Sequence, residues 1–189
     1  MTRPAGLAIA LLWAGWLLIW VLAAFAAKPV ARRESIPSRL VHVVPLVIAA
    51  TLLGARSLPG WLGARFVASS VTLDTLALAL VALGLGFSVW ARHALGGNWS
   101  GTVTLKHEHT IVRSGPYRVI RHPIYTGLLV AIAGTALARG EWRGAVALLL
   151  VAVALLRKID LEERWLGEAF GPAYAEYRAR SWALFPFLY

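Results

Sequence analysis

The sequence predicts an all-α integral membrane protein with about five transmembrane helices and an amphipathic C-terminal cytoplasmic helix. Composition is the first support: of 189 residues, 59% are hydrophobic and only 15% charged, with a mean hydropathy of +0.67, beyond the apolar share of soluble domains. The second is arrangement, because the apolar residues gather into five runs separated by short basic segments. The third is the lack of any period-two alternation that would signal strands. A formal net charge of +10 raises nucleic acid as a partner, but the cations lie in loops between apolar runs and form no separate basic domain. Membrane topology accounts for them, so the expected partners are the lipid bilayer and no nucleic acid. The absence of cysteine excludes disulfides, thiolate metal sites and cysteine nucleophiles. The length suits a single membrane-embedded domain over residues 1–189, with three spans in 1–93 and a second half in 94–189.

The first run, Ala5 to Ala27, is long enough at about 1.5 Å per residue to cross a hydrocarbon core of about 30 Å. Ala24-Phe25-Ala26 resembles a signal-peptidase site, but the run exceeds the usual signal core of about 7–15 residues. A basic loop, Lys28 to Arg39, follows. The second run, Leu40 to Ala55, is short and contains His42 and Pro45, which makes it the weakest span. A turn with Pro59, Gly60, Trp61 and Gly63 leads to the third run, Val71 to Trp90. Its one acid, Asp74, sits in the first turn and meets the positive end of the helix dipole.

From Arg92 to Arg121 the chain is polar, and so long a connection in a small protein is usually functional. His107-Glu108-His109 lacks the i, i+4 histidine spacing of a zinc helix, so no metal site is expected. Asn98-Trp99-Ser100 matches a glycosylation acceptor, but the expected topology puts it in the cytoplasm. Ile124 to Ala138 and Trp142 to Leu156 are joined by only Arg139-Gly140-Glu141, which demands an antiparallel hairpin, and Gly127 and Gly134 permit close packing. Ile159, Trp165, Leu166, Ala169 and Phe170 fall at helical spacing, giving the amphipathic tail helix that Gly171-Pro172 ends. Arg3, Arg56, Arg65, Arg139 and Arg143 fall on one side of five spans and the other fourteen of nineteen Lys and Arg on the opposite side. The positive-inside rule then places the N-terminus outside, and the long loop and tail in the cytoplasm.

The stretch that concentrates chemistry is Ser114 to Gly127, where Pro116, Tyr117, Arg118, Arg121, His122, Pro123 and Tyr125 abut an apolar run. Pro123 restricts His122 to an extended backbone and suits the first helical position itself. His122 is therefore expected at a helix N-cap. The exposed N–H groups there, with the planar Arg121 guanidinium beside them, suit a carboxylate or phosphate. Membrane-interface anchoring by Arg and Tyr is the alternative. The Glu162-Glu163 pair has two readings as well: acceptors for hydroxyls or an ammonium, or the solvated face of a helix paired with Lys158.

Together these residues resemble the isoprenylcysteine carboxyl methyltransferases and their prokaryotic relatives, whose C-terminal half is shared with phospholipid methyltransferases. The matching pieces are Gly115-Pro116-Tyr117, Arg121-His122-Pro123 with Tyr125 and Gly127, Glu162-Glu163, and Phe170-Gly171 with Tyr174, Tyr177 and Arg178. The resemblance implies that 94–189 is a cofactor-binding half that takes S-adenosylmethionine. Tyr117, Arg121, His122, Pro123, Tyr125, Gly127, Glu162 and Glu163 would surround the cofactor, with His109 and Asn98 contributing from the long loop. It also implies methyl transfer to a lipophilic or prenylated substrate, with Arg157 or Lys158 in the place of an arginine expected near a substrate carboxylate, Arg178 as a further cation, and Tyr174 and Tyr177 as substrate contacts; anchoring of the tail at the headgroups is the alternative for Tyr174, Tyr177 and Arg178. Carboxyl O-methylation is the expected reaction, in a multi-pass protein of a prokaryotic inner membrane with its site facing the cytoplasm. The alternatives are amine N-methylation of a phospholipid, an NADPH-dependent sterol-type reductase, and a non-catalytic membrane subunit. A carboxylate acceptor needs no base at neutral pH, and no buried acid–base pair is evident in the sequence.

Overall fold

The computed structural model describes residues 2–25, 30–98, 104–106 and 110–189. Among them are six α-helices: α1 (Arg3–Ala24), α2 (Ile36–Gly54), α3 (Val71–Leu95), α4 (Pro123–Arg139), α5 (Trp142–Phe170) and α6 (Pro172–Ala179). The first three are long and apolar enough to cross a membrane. The expected second span is a full 19-residue helix that runs straight through Pro45. Ser35 caps it and accepts from the Ser38 N–H at 3.4 Å. α3 is likewise capped, by Ser70 accepting from the Leu73 N–H at 3.1 Å, and Asp74 in its first turn accepts from the Thr2 N–H at 2.8 Å.

Three expectations need correction. The fourth and fifth apolar runs do not end as separate spans of similar length: α4 has 17 residues, whereas α5 runs without interruption for 29. The amphipathic tail helix is accordingly not a separate interfacial helix, because nothing between Leu156 and Phe170 breaks α5, which stops only where Gly171 turns to φ 49° before Pro172. At about 1.5 Å per residue, α5 is about 44 Å long and carries its polar end well past the apolar seam. Finally, the fold is not free of strands. Val30–Arg33 (β1) pairs antiparallel with Thr104–Lys106 (β2), a ribbon too short to show a period.

Close approach of α3 and α4 organises the bundle. A Cβ added to Gly84 would lie 2.5 Å from the Gly127 carbonyl oxygen, and one on Gly134 would lie 2.7 Å from that of Ala77, so at both points backbone meets backbone. The small residues thus dock α4 chiefly on α3, while Gly144 lets α5 approach α4 at Ala136. α1 joins the same layer, with the Trp13 and Trp16 indoles donating to Thr135 and Ser88 at 3.0 and 2.7 Å. A second apolar layer, built from Ala49, Leu129, Ala147, Val151, Leu155 and Ile159, joins α2, α4 and α5. Together these contacts leave the mouth of α4 facing the polar end of α5.

Candidate functional site

His122 is the N-cap of α4 and Pro123 its first residue, as the dipeptide dictates. The preceding Gly115–Arg118 makes a 3-10 turn that buries Tyr117, and α5 and the C-terminal segment close over this corner. The Arg121 and His122 N–H groups donate to the Trp182 and Ala183 carbonyls at 2.8 and 3.0 Å, and the Trp182 N–H returns a bond to Val119 O at 2.9 Å. Thr126 adds a hydroxyl bond to Leu184 O at 2.8 Å. Residues 182–184 thus engage the Arg121 and His122 N–H groups and the Thr126 hydroxyl, while the Tyr125 and Thr126 N–H groups bond to His122 O.

Arg121 shares this fate. Its Nε donates to Glu163 Oε1 at 2.7 Å, and its Nη1 reaches the carbonyls of Arg178, at 3.2 Å, and Ser181. His122 lies between both acids, with Nε2 3.3 Å from Glu163 Oε1 and Nδ1 3.5 Å from Glu162 Oε2. Tyr125 stacks on the imidazole with its ring centroid 5.6 Å away and donates to Glu162 Oε1 at 2.7 Å. Lys158 sits over the Tyr125 ring and 4.0 Å from Glu162, and Arg178 approaches Glu163 Oε2 at 3.3 Å from the exposed side. The Lys158 pairing expected for a solvated acidic face exists, but at a weak 4.0 Å, whereas the acids turn inward to Tyr125, His122 and Arg121.

The electrostatics follow from this enclosure. Burial alone would favour neutral imidazole, but hydrogen bonds to Glu162 and Glu163 outweigh it and raise the His122 pKa above its ordinary value. Burial also opposes ionised glutamates, yet bonds from His122 and Arg121 hold Glu163 down to about 2, and His122 with Lys158 lowers Glu162. Arg121, Lys158 and Arg178, with His122 among them, thus meet two carboxylates, leaving positive charge for a further anion.

Beside this cluster, the Tyr177 hydroxyl donates to Tyr117 O at 2.6 Å, and Arg113 lies over the Tyr177 ring while donating to Ala173 O at 2.8 Å. Tyr174 is 3% exposed, and its buried hydroxyl has no partner among the described residues. The structure thus brings together Tyr117, Arg121, His122, Pro123, Tyr125, Lys158, Glu162, Glu163, Tyr174, Tyr177 and Arg178. Two other residues do not join them. Gly127 faces α3, and Arg157 turns to α2, donating to Ser38 Oγ at 3.1 Å. His109 lies outside the described residues, as do His107 and Glu108; Asn98 belongs to the 3-10 turn after α3. Among the described residues no group of three His, Asp or Glu side chains is arranged to hold a metal ion. The sequence gives no sign of Ser181 to Leu184, which act through backbone carbonyls and so leave no residue signature, or of Glu34, which falls within the basic Lys28 to Arg39 loop.

An apolar groove of about 540 Å³ runs along the α3–α4 seam, lined by Gly84, Gly86, Phe87, Trp90, Gly127 and Val130 among others. It reaches toward the corner, since a Cβ on Gly115 would lie 3.8 Å from Trp90.

A helical membrane bundle with a buried imidazole–carboxylate–guanidinium cluster at the mouth of a short helix defines a class of membrane-embedded proteins whose polar site is built from its last two long helices. The chain belongs to the phospholipid methyltransferase family, whose model matches residues 73–173. Among curated relatives, it is 34% identical over 76% of its length to the cobalt-zinc-cadmium resistance protein CzcN of Cupriavidus metallidurans. It is also similar to two proteins named protein-S-isoprenylcysteine O-methyltransferase. One, form B of Arabidopsis thaliana, is 28% identical over 61% of this chain; the other, from Saccharomyces cerevisiae, is 32% identical over 60%. The chain spans 60% of the length of the first two relatives and 48% of the third.

Proposed function

We propose that this protein is a membrane-embedded methyltransferase that uses S-adenosylmethionine to methylate a lipophilic acceptor. The observation that carries this reading is the enclosed cluster of Arg121, His122, Lys158 and Arg178 around Glu162 and Glu163, which lies mostly within the family match. Its fit to the cofactor is chemical. The cationic excess suits an amino-acid carboxylate, the Tyr174 hydroxyl, without a partner among the described residues, suits a ribose or adenine group, and the lowered pKa values of Glu162 and Glu163 suit an ammonium. When bound, the cofactor supplies a methyl group on a sulfonium. The protein aligns the reacting atoms and keeps water out, with Tyr117, Tyr125 and Tyr177 as the apolar walls. The seam groove gives an aliphatic or prenyl chain a lateral path from the bilayer.

Two acceptors are supported. The relatives' names favour an isoprenylcysteine-like carboxylate, with Arg178 and Lys158 as the nearby cations; Arg157 would serve only if the acceptor reached the α2 seam. The family description favours a phospholipid amine. Glu34 and His42 form a buried acid–base pair, contrary to the expectation from the sequence. The distribution of Lys and Arg supports a cytoplasmic position for the cluster. Calorimetry on purified protein tests the reading: micromolar binding of S-adenosylhomocysteine and none of NADPH is expected, and the reverse would overturn it.

A further inference from the structure

A second polar cluster lies on the α2–α5 seam, on the α2 side of the polar end of α5. Glu34, just before α2, and His42, two turns into it, are both buried, with His42 Nε2 3.4 Å from Glu34 Oε1. Ser38 donates to Glu34 Oε2 at 3.3 Å and accepts from Arg157 at 3.1 Å. His42 is 2% exposed, and its other ring nitrogen, Nδ1, is buried without a partner among the described residues; so is one terminal nitrogen of Arg157. Buried polar atoms are almost always satisfied, and an orphan calls for a reason. The charged groups that face His42 are Glu34 on the segment before α2 and Arg157, Lys158 and Glu162 on α5, and Glu34 is in turn within electrostatic range of Tyr125 on α4. Arg157, bonded to Ser38, directly precedes Lys158, which lies over the Tyr125 ring and 4.0 Å from Glu162, so the pair adjoins the methyl-transfer cluster along α5.

The geometry points to Glu34 and His42 as a general-base pair for a protonated nitrogen acceptor, the primary-amine headgroup of a lipid. This inference rests on the methyltransferase reading. With Nε2 turned to Glu34, neutral His42 carries its proton there and presents a lone pair at Nδ1. An ammonium, with a reference pKa of about 10.4, must lose a proton before it can attack, whereas a carboxylate, at about 4, is already ionised. In the step, His42 Nδ1 takes one proton from the ammonium and Glu34 holds the resulting imidazolium. The freed nitrogen lone pair forms the bond to the methyl carbon of S-adenosylmethionine, and the carbon–sulfur bond breaks with its electrons going to sulfur. The products are a methylated ammonium, S-adenosylhomocysteine and, after release to solvent, one proton.

The test uses full-length protein in nanodiscs with labelled S-adenosylmethionine and two probes, dioleoylphosphatidylethanolamine and N-acetyl-S-farnesylcysteine, at pH 6–9. Methylation of the amine probe is expected, with His42→Gln lowering kcat at pH 7 about 100-fold, in the range of general acid–base catalysis, and the deficit shrinking as pH rises. Glu34→Gln should behave similarly but less severely. S-adenosylhomocysteine affinity and melting temperature should stay near wild type in His42→Gln. A cofactor-free readout accompanies this: nitrogen NMR of labelled histidine should show His42 at pH 7 with its proton on Nε2 only. Methylation of only the carboxylate probe overturns the base while leaving the methyltransferase, and so does doubly protonated His42 at pH 7. Loss of melting temperature and cofactor affinity together in His42→Gln assigns the pair a structural role and overturns it too. Methylation of neither probe by a protein that binds S-adenosylhomocysteine overturns the base alone; absence of that binding overturns both readings.

Discussion

Arg121 shows how much one side chain organises here: one guanidinium joins α4, α5 and the C-terminal segment through Glu163 and the Arg178 and Ser181 carbonyls. Lysine has a single donor point and cannot reproduce that fork, so Arg121→Lys and Arg121→Ala should both weaken S-adenosylhomocysteine binding at least about tenfold, the loss of a charged hydrogen bond. Calorimetry giving wild-type affinity for Arg121→Lys would detach Arg121 from the cofactor. The His122–Glu163 pair sets a pH window. The raised His122 pKa means its contribution is complete below the ordinary 6.5 and is lost as pH climbs through the folded value; Glu163, held at about 2, contributes above the ordinary 4.5 and loses that as pH falls toward 2. The melting temperature in detergent should therefore peak between about 4.5 and 6.5 and fall on both sides. His122→Gln should remove the alkaline fall, and an unchanged alkaline limb in that variant would refute the assignment. The corner was legible because Pro123 fixes its neighbour locally, whereas the strap over it was not, because backbone carbonyls look alike in every residue.

At the scale of elements, the glycines of the α3–α4 seam separate packing from open groove. Small residues drive helix association in lipid by letting backbones approach, and Gly127 meets both Gly84 and Ser88 at under 3.0 Å from a built Cβ, while Gly86 meets nothing within 4 Å. Gly127→Ala should destabilise by about 1–3 kcal/mol, the usual cost of overpacking, and Gly86→Ala by nothing measurable; equal losses in a denaturant titration would mean the seam is not where α4 is held. The same glycines mark how far element-level reading reached. Gly127 and Gly134 were legible as packing residues, but their partner was not, since i+7 spacing names a helix face and not the helix opposite. The length of α5 was hidden for a related reason: hydropathy falls after Leu156, yet Arg157-Lys158-Ile159 carries no helix breaker, so the change is one of environment and not of backbone.

For the molecule as a whole, contacts between helix ends fix which ends share a face. Arg92, late in α3, donates to Ala23 O late in α1 at 2.6 Å, Arg157, late in α5, donates to Ser38, early in α2, and Tyr125, early in α4, donates to Glu162, late in α5. On the opposite face the Thr2 N–H meets Asp74 at the start of α3, Arg143 at the start of α5 donates to Ala55 O after α2 at 2.7 Å, and Arg139, ending α4, bonds Leu53 O. The five long helices therefore alternate in direction, even though only three satisfy the length and composition of a span by themselves. Alternation puts the two chain ends on opposite faces, and the excess of Lys and Arg on the Arg157 face predicts that this face is the cytoplasmic one. Reporter fusions at Arg3 and after Tyr189 should accordingly give an external N-terminus and a cytoplasmic C-terminus. Exposed Phe187 and Leu188, 86% and 82% accessible beside the Leu184 that packs into the bundle, should hold the C-terminal segment at the interface, so Phe187→Asp with Leu188→Asp should loosen the strap over Arg121 and raise protease cleavage after Arg180. Signals placing both termini on one side would mean that one of the five helices does not cross; α4 could not be that one, because Tyr125 at its start and Glu162 late in α5 would then be parted across the membrane, against the bond between them.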